Sequence, residues 1–263
     1  MIFSANPGRS GSATLASVLG HSPEIDAGHE RVPAMTGPWL RRVARHGPDE
    51  SYRERFLKAE AIAIERSHLA SGQIYCDTSH MFVKTFADVV LAQFSDDTIA
   101  VIGLRRDPAL IARSFFELGL LGPQPGNWHD WMVCPTSPHA EFRIDPAAVT
   151  GQFDLIFASL VDTHAREQVL RRRSPEVIWI DLELDELTSP GGVLRLFGQL
   201  GVRPPSPPDG SVEQTNTKSV EKAHVGLPVS TELARVRLHE FVDRFATHAA
   251  VNEFATTYGR YLG

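Results

Sequence analysis

Cysteine and long apolar runs are scarce in this sequence. Cys76 and Cys134 are the only two cysteines among 263 residues, which excludes a disulfide scaffold and a metal site built on a cysteine cluster. No apolar run approaches the ~18 residues that a membrane-spanning helix needs, and the opening residues MIFSANPGRS contain neither the basic nor the apolar region of a signal peptide. We therefore expect a cytoplasmic protein without an integral membrane span.

An excess of positive charge is also lacking. The 26 Lys and Arg residues against 32 Asp and Glu give a net charge of -6, whereas a nucleic-acid binder is normally basic. We expect no nucleic-acid partner, although a few lining residues can still make a local pocket positive enough for a small anion. Hydrophobic residues make up 42% and charged residues 22%, which is the composition of an ordinary folded protein. The sequence leaves the oligomeric state open.

Short apolar runs alternate along the chain with longer helix-forming stretches. The predicted strands are residues 1–5, 24–27, 73–76, 98–104 and 177–181, and the predicted helices are residues 14–20, 52–69, 82–94, 108–118 and 193–200. Asp107 is the expected N-cap of the fourth helix, with Pro108 at its first position. This alternation predicts an α/β fold with a central parallel sheet flanked by helices, and the length fits a single domain over residues 1–263.

Two stretches interrupt the alternation. Residues 119–146 are rich in Pro, Gly and aromatic side chains, and residues 203–226 include the string PPSPP. Long loops in compact domains are often lids or binding loops, and we predict that role for both segments.

The first predicted strand and helix are joined by the loop Asn6-Pro-Gly-Arg-Ser-Gly-Ser12. A glycine-bearing loop that enters a helix directs backbone N–H groups and the positive end of the helix dipole at an anion. Arg9 adds a full charge, while Ser10, Ser12 and Thr14 add hydroxyl donors. A Walker A loop would need a lysine after its last glycine, and this loop has none.

A second basic position follows the predicted strand 98–104. Arg106 comes just after that strand, and Ser114 comes eight residues later, about two turns into the next helix. A guanidinium and a hydroxyl form a suitable pair for a further phosphate. Because ligands bind beyond the carboxyl ends of parallel strands, the two motifs predict a ligand with two separate phosphate-like groups.

In their order and spacing, PGRSGSATL and RRDPALIARS resemble the donor-binding motifs of the PAPS-dependent sulfotransferase family, most of all its bacterial small-molecule and carbohydrate branches. The resemblance extends over roughly residues 1–120 and implies a P-loop-like three-layer sandwich. It also implies transfer of the sulfuryl group from PAPS, with PAP as the product, to a hydroxyl of a small-molecule, lipid or carbohydrate acceptor. No metal is implied.

The resemblance assigns the 5′-phosphosulfate of the donor to Arg9, Ser10, Gly11, Ser12, Ala13 and Thr14, and the 3′-phosphate to Arg106 and Ser114. Ala13 is a departure, because many members have Thr or Ser there and one hydroxyl contact is lost. Lys218 is either a late-loop residue that closes over the donor or a solvated loop lysine. Residues 31–60 and 119–146 are the variable loops expected to form the acceptor pocket.

Glu30 and His80 are the candidate bases for the acceptor's proton. Bacterial members commonly carry a Glu, often as His-Glu, about twenty residues after the loop arginine, and Glu30 fits that position; the alternative is a surface carboxylate paired with an arginine. His80 stands where the cytosolic branch has Lys-Thr-His, here without the lysine; it could instead orient the acceptor, or be a helix N-terminal residue with no chemical role. Histidine has the more suitable ordinary pKa, and a glutamate would need its pKa raised by burial or a like charge, yet the bacterial resemblance ranks Glu30 first. Arg9 is further expected to stabilise charge on the leaving phosphate.

Two other functions fit parts of the pattern. A P-loop kinase or nucleotide hydrolase shares the strand-loop-helix, but it requires the missing Walker lysine. A non-catalytic nucleotide-binding protein of the same fold would be expected to lack a base or the second phosphate site, and Ala13 is the only residue that favours it. A sulfotransferase therefore ranks first.

Overall fold

A computed structural model describes residues 1–121, 127–205 and 228–262. Its contacts divide the chain into two compact units. The first unit comprises Met1–Met35, Tyr52–Arg105 and Leu170–Ser219, and the second comprises Thr36–Ser51, Arg106–Val169 and Val220–Gly263. Most of the predicted loop 203–226, including Lys218, lies outside the described residues.

The first unit contains a sheet of five parallel strands. The strands are β1 (Ile2–Ala5), β2 (Ile25–Gly28), β3 (Ile74–Asp77), β4 (Ala100–Arg105) and β5 (Ile178–Glu183). Their order across the sheet is β2-β3-β1-β4-β5, and every neighbouring pair is parallel. The predicted α/β class with a central parallel sheet is confirmed, and each strand lies within two residues of its predicted bounds.

Helices flank this sheet. They are α1 (Ser12–Gly20), the second part of α2 (Pro38–Ser67), α3 (Ala87–Gln93) and α6 (Pro190–Leu200). Successive strand residues point to opposite faces. Ile2 belongs to a buried cluster with Leu15 of α1 and Leu196 of α6, whereas Phe3 stacks on Phe82 with ring centroids 4.6 Å apart. Both faces of β1 are therefore covered, as in a three-layer sandwich.

The order of the strands defines where a ligand would bind. From β1 the chain passes through α1 to β2 at one edge of the sheet, whereas from β4 it leads to β5 at the other edge. Neighbouring strands whose connections leave in opposite directions open a crevice at their carboxyl ends. The loop that follows β1 starts at that crevice.

The second unit is mainly helical. Its helices are the first part of α2, which is interrupted at Gly47 (φ 79°), then α4 (Pro108–Glu117), most of α5 (Gln152–Arg173), α7 (Thr231–Arg244), α8 (Ala249–Thr257) and α9 (Gly259–Leu262). As predicted, Asp107 caps α4, and its Oδ1 accepts from the N–H of Ala109 at 2.8 Å. The described part of the predicted loop 119–146 contributes Met132 and Phe142 to the core of this unit.

Among the described residues, every helix is too short or too polar to cross a lipid bilayer.

Candidate functional site

The loop after β1 is closed by its own polar side chains. Asn6, almost fully buried, donates from Nδ2 to Ser4 Oγ at 2.9 Å and accepts from the N–H of Gly8 at 3.0 Å through Oδ1. Ser10 is fully buried, and its hydroxyl donates to the carbonyl oxygen of Gly8 at 3.2 Å. Its proton is therefore used within the loop, and Ser10 shapes the anion site that the sequence predicts here.

Three residues of this loop adopt left-handed backbone conformations, with φ of 88° at Gly8, 56° at Arg9 and 94° at Gly11. Such φ values suit glycine and are strained for arginine. Space is equally restrictive, because a Cβ on Gly11 would lie 2.3 Å from Leu184 Cδ1, and one on Gly8 would lie 3.2 Å from His80 Nδ1. Leu184 and His80 therefore pack directly against the loop at Gly11 and Gly8, where a side chain would not fit without a shift of these neighbours.

The start of α1 is suited to an anion. Its N-cap residue is Gly11, which has no side chain to cap the first turn, and its first three residues are Ser12, Ala13 and Thr14. The N–H groups of a first helical turn attract negative charge. By contrast, α4 has its first turn capped by the Asp107 carboxylate. Of these two helix starts, that of α1 is the one left for a ligand to cap.

Thr78, at the carboxyl end of β3, anchors the start of α1. Its hydroxyl donates to the carbonyl oxygen of Ser12 at 2.8 Å and lies 3.3 Å from Nδ1 of His29. Because the hydroxyl proton is directed at Ser12, the imidazole N–H of His29 is the donor in the second contact. The segments that follow β2 and β3 are thereby joined to the start of α1.

Glu30 and His80, predicted separately from two distant segments, meet beside this loop. His80 Nε2 lies 3.3 Å from Glu30 Oε1, and Lys84 Nζ lies 2.8 Å from His80 Nδ1 and 2.9 Å from the carbonyl oxygen of Pro7. His80 is 6% exposed, whereas the Glu30 side chain is 24% exposed. The chain of contacts therefore runs from a buried lysine to a carboxylate that solvent reaches.

The protonation of His80 follows from its two neighbours. An ammonium group has only donors, so Lys84 donates to Nδ1, and the imidazole proton must reside on Nε2, where it faces Glu30. Burial and the positive charge of Lys84 lower the pKa of His80 to about 4. At neutral pH both ring nitrogens are accordingly engaged, one as acceptor and one as donor.

Glu30 is the group in this cluster that is left with a proton-accepting role. Burial acts to raise the pKa of its carboxyl, but the hydrogen bond that His80 donates and the electrostatic interactions with the His80 and His29 rings and with Lys84 together outweigh burial and lower that pKa. The backbone of Glu30 has φ 54°, which a glutamate rarely adopts. The raised pKa that a glutamate base was expected to need is therefore absent, because the interactions with His80 and Lys84 favour the ionised carboxylate. The carboxylate is instead held ionised and partly exposed, on a strained backbone of the kind found at functional sites.

A buried ion pair lies next to the segments that carry Glu30 and His80. Lys58 and Asp77 are 1% and 0% exposed, and Lys58 Nζ lies 2.8 Å from Asp77 Oδ2. The ammonium also donates to the carbonyl oxygen of Arg31 at 2.7 Å, and Asp77 Oδ1 accepts from the N–H of Ser79 at 3.1 Å. Lys58 thereby connects the segment that carries Glu30 to the segment that carries His80.

The predicted site residues Arg106 and Ser114 belong to the second unit, and Lys218 lies outside the described residues. Arg106 follows β4 directly and is half-buried, and Ser114 is a half-buried residue in α4. Both belong to the second unit, whereas Arg9, Glu30 and His80 belong to the first. Their assignment to a 3′-phosphate stays a prediction.

Lys84 and the pair of Lys58 and Asp77 are absent from the sequence-based site. The spacing of four between His80 and Lys84 was a usable signal, because such residues share one face of a helix. In the structure His80 lies in the turn that precedes a π-helix, Phe82–Phe86, and Lys84 lies within that helix. A π-helix is a rare element that is frequent at functional sites. No comparable signal connects Lys58 to Asp77, which are brought together only by the fold.

No protein-family model matches this chain, and no curated protein is similar enough to indicate a family. The function is therefore argued from the residues described above.

Proposed function

We propose that this chain is a sulfotransferase that moves the sulfuryl group of PAPS to a hydroxyl of a small-molecule, lipid or carbohydrate acceptor, with Glu30 as the general base. The observation that carries the proposal is the arrangement of Glu30, His80 and Lys84 against the glycine loop. It combines an anion-binding helix start with a proton acceptor in the same unit of the protein.

Glu30 is preferred to His80 as the base on the strength of the hydrogen bonds. Nε2 of His80 carries a proton, and Nδ1 accepts from Lys84, so accepting another proton would require the lysine contact to break. The Glu30 carboxylate is ionised and partly exposed. In this scheme the carboxylate takes the proton of the acceptor hydroxyl, and His80 is a positioning residue that holds the carboxylate in place.

The donor end of the reaction is assigned to the loop and the start of α1. PAPS would supply the sulfuryl group and a phosphate leaving group. The backbone N–H groups of residues 12–14 and the Arg9 guanidinium are suited to holding those oxygens and to stabilising charge as it develops. Arg106, Ser114 and Lys218 are proposed as contacts to the rest of the donor, on the resemblance alone.

Calorimetry with PAP, ADP and ATP tests the donor assignment. PAP is expected to bind at least tenfold more tightly than either adenine nucleotide, because only PAP has the 3′-phosphate assigned to Arg106. Arg106→Ala should remove most of that preference by deleting a charge-assisted contact. Equal or tighter binding of ATP would favour the kinase or hydrolase alternative.

Glu30→Gln tests the base. We expect turnover to fall by about 10²–10⁴-fold with the affinity for PAP unchanged, because the amide keeps the shape but cannot accept the proton. Glu60→Gln, at an exposed position of α2, is the matched control and should leave turnover unaltered. A Glu30→Gln enzyme with normal turnover would refute the assignment.

A further inference from the structure

The second unit contains a cavity that none of the candidate site residues described above lines. Its volume is about 350 Å³, and it lies between the first part of α2 and the segment of residues 129–137. That volume is at the lower end of the range for small-molecule sites. Leu40, Ala44 and Met132 provide an apolar surface, and Arg41, Arg45 and His129 provide polar groups.

A smaller cavity of about 170 Å³ adjoins the same face of α2. Arg41 and Arg45 line both cavities, so the two guanidinium groups stand where the cavities meet. The residues are four apart on one helix, which places their side chains on one face. Arg42 lines the smaller cavity as well, and this concentration of arginines contrasts with the net charge of -6 of the chain.

The positive charge at this face is only partly neutralised. Arg41 pairs with Asp130, and His46 lies 3.6 Å from Glu50. Within the part of the chain that the structure describes, Arg45 has neither an ion-pair partner nor a side-chain hydrogen bond. An exposed guanidinium at the mouth of a partly apolar cavity is suited to binding an oxyanion with two parallel N–H donors.

His129 belongs to the wall opposite α2. Its ring lies next to that of Trp128, with centroids 3.7 Å apart and planes tilted by 33°. Burial and the charge of Arg41 lower the pKa of His129, so the ring is neutral at neutral pH. It therefore adds no charge to attract the ligand, and attraction of an anion falls to the arginines.

We propose that this cavity binds a small amphipathic organic anion, with its oxyanion group at Arg45 and Arg41 and its apolar body against Leu40 and Met132. The ligand class is a carboxylate, sulfate or phosphate carried on an aliphatic or aromatic body. The cavity lies in residues 31–60 and 119–146, the two segments that the resemblance expects to form the acceptor pocket. The proposal adds the class of ligand and its contacts, is argued from the residues of the second unit, and requires no donor.

Calorimetry on the full chain without any nucleotide tests the site, with octanoate, octyl sulfate, 1-octanol and acetate as probes. We expect both octyl anions to bind at least tenfold more tightly than octanol, because the headgroup gains charge-assisted hydrogen bonds. Octanoate should also bind far more tightly than acetate, by about fourfold for each methylene that becomes buried. Preference for the carboxylate or for the sulfate identifies the headgroup.

Arg45→Gln should weaken binding of both octyl anions by about tenfold or more and leave octanol unaffected, while Arg45→Lys should be intermediate because it retains the charge without the fork. Arg143→Gln is the control, since Arg143 is exposed in the same unit and lines neither cavity. Circular dichroism checks that each variant is folded. The proposal is overturned if neither octyl anion binds, if octanol binds equally well, or if Arg143→Gln has the same effect as Arg45→Gln.

Discussion

Replacing Lys58 by methionine should weaken the fold far more than the loss of one ion pair usually does. Lys58 and Asp77 are almost completely buried and 2.8 Å apart. Methionine fills nearly the same space but cannot pair with the Asp77 carboxylate, which is left without its lysine partner. The carbonyl oxygen of Arg31 also loses the hydrogen bond that it accepts from Lys58. Breaking a buried pair from one side typically costs about 3–5 kcal/mol, a large part of the roughly 5–15 kcal/mol that holds a protein of ordinary stability together.

Urea denaturation followed by circular dichroism measures this loss. With a slope of about 2–3 kcal/mol/M, the midpoint should fall by more than about 1 M. The control is Arg237→Met on α7, whose partner Glu240 is 56% exposed. That pair faces water, so its loss should change the free energy of unfolding by less than about 1 kcal/mol.

The double variant Lys58→Met/Asp77→Asn distinguishes the cost of the unpaired Asp77 charge from the cost of altered packing. The asparagine oxygen can still accept from the N–H of Ser79, while the uncompensated negative charge is gone. The double variant should therefore be more stable than Lys58→Met alone. A cost for Lys58→Met no larger than that of the Arg237 control, or a double variant less stable than the single one, would refute the argument.

Three further predictions concern the same unit. Lys84→Met should raise the pKa of His80 above its value of about 4, as followed by an NMR titration of the ring proton, although burial will keep it below 6.5; an unchanged pKa would mean that the lysine does not act on the ring. Because the pKa of His80 is about 4 in the folded chain against an ordinary value of 6.5, the unfolded chain binds the extra proton, so stability should fall as the pH drops from 6.5 to 4, by up to about 3 kcal/mol. In urea denaturation at several pH values, the His80→Gln variant should not show this loss of stability between pH 6.5 and 4. If the stability of the variant and of the parent protein changed in parallel with pH, the prediction would be wrong. Gly11→Ala should lower the free energy of unfolding by about 2–4 kcal/mol, because alanine is strained in a left-handed backbone and its Cβ would clash with Leu184. Adding Leu184→Ala should restore the part of that free energy lost to the clash but not the part lost to the backbone, as measured by urea denaturation.

The strands were predictable because their sequences are short, apolar and rich in β-branched residues. Residues 98–104 read as a strand, and β4 occupies Ala100–Arg105 with every residue buried. The long helix α5 is not among the predicted helices. Its buried face includes Asp162, His164 and Glu167, and these polar residues interrupt the apolar periodicity on which sequence reasoning depends.

The candidate site was predictable only in part, for a similar reason. Glu30 and His80 follow predicted strands at the edge of the sheet where ligands bind, so their proximity could be anticipated. Lys84 and Lys58 are buried in helical segments of ordinary sequence. Lys84 is marked only by its spacing of four from His80, and nothing local distinguishes Lys58 from an exposed lysine. Their roles depend on the Pro7 carbonyl and on Asp77, each supplied by a distant part of the chain.

The tight packing around Gly8 and Gly11 has a consequence for how relatives of this protein should be compared. Both glycines are required by their neighbours, His80 and Leu184, whether or not an anion ever occupies the loop. A descendant that had lost all chemistry would be expected to keep them for steric reasons alone. Retention of the glycine pattern is therefore evidence of shared architecture, whereas Glu30, whose side chain faces solvent in part, is the position at which substitution would mark the loss of the catalysis proposed above.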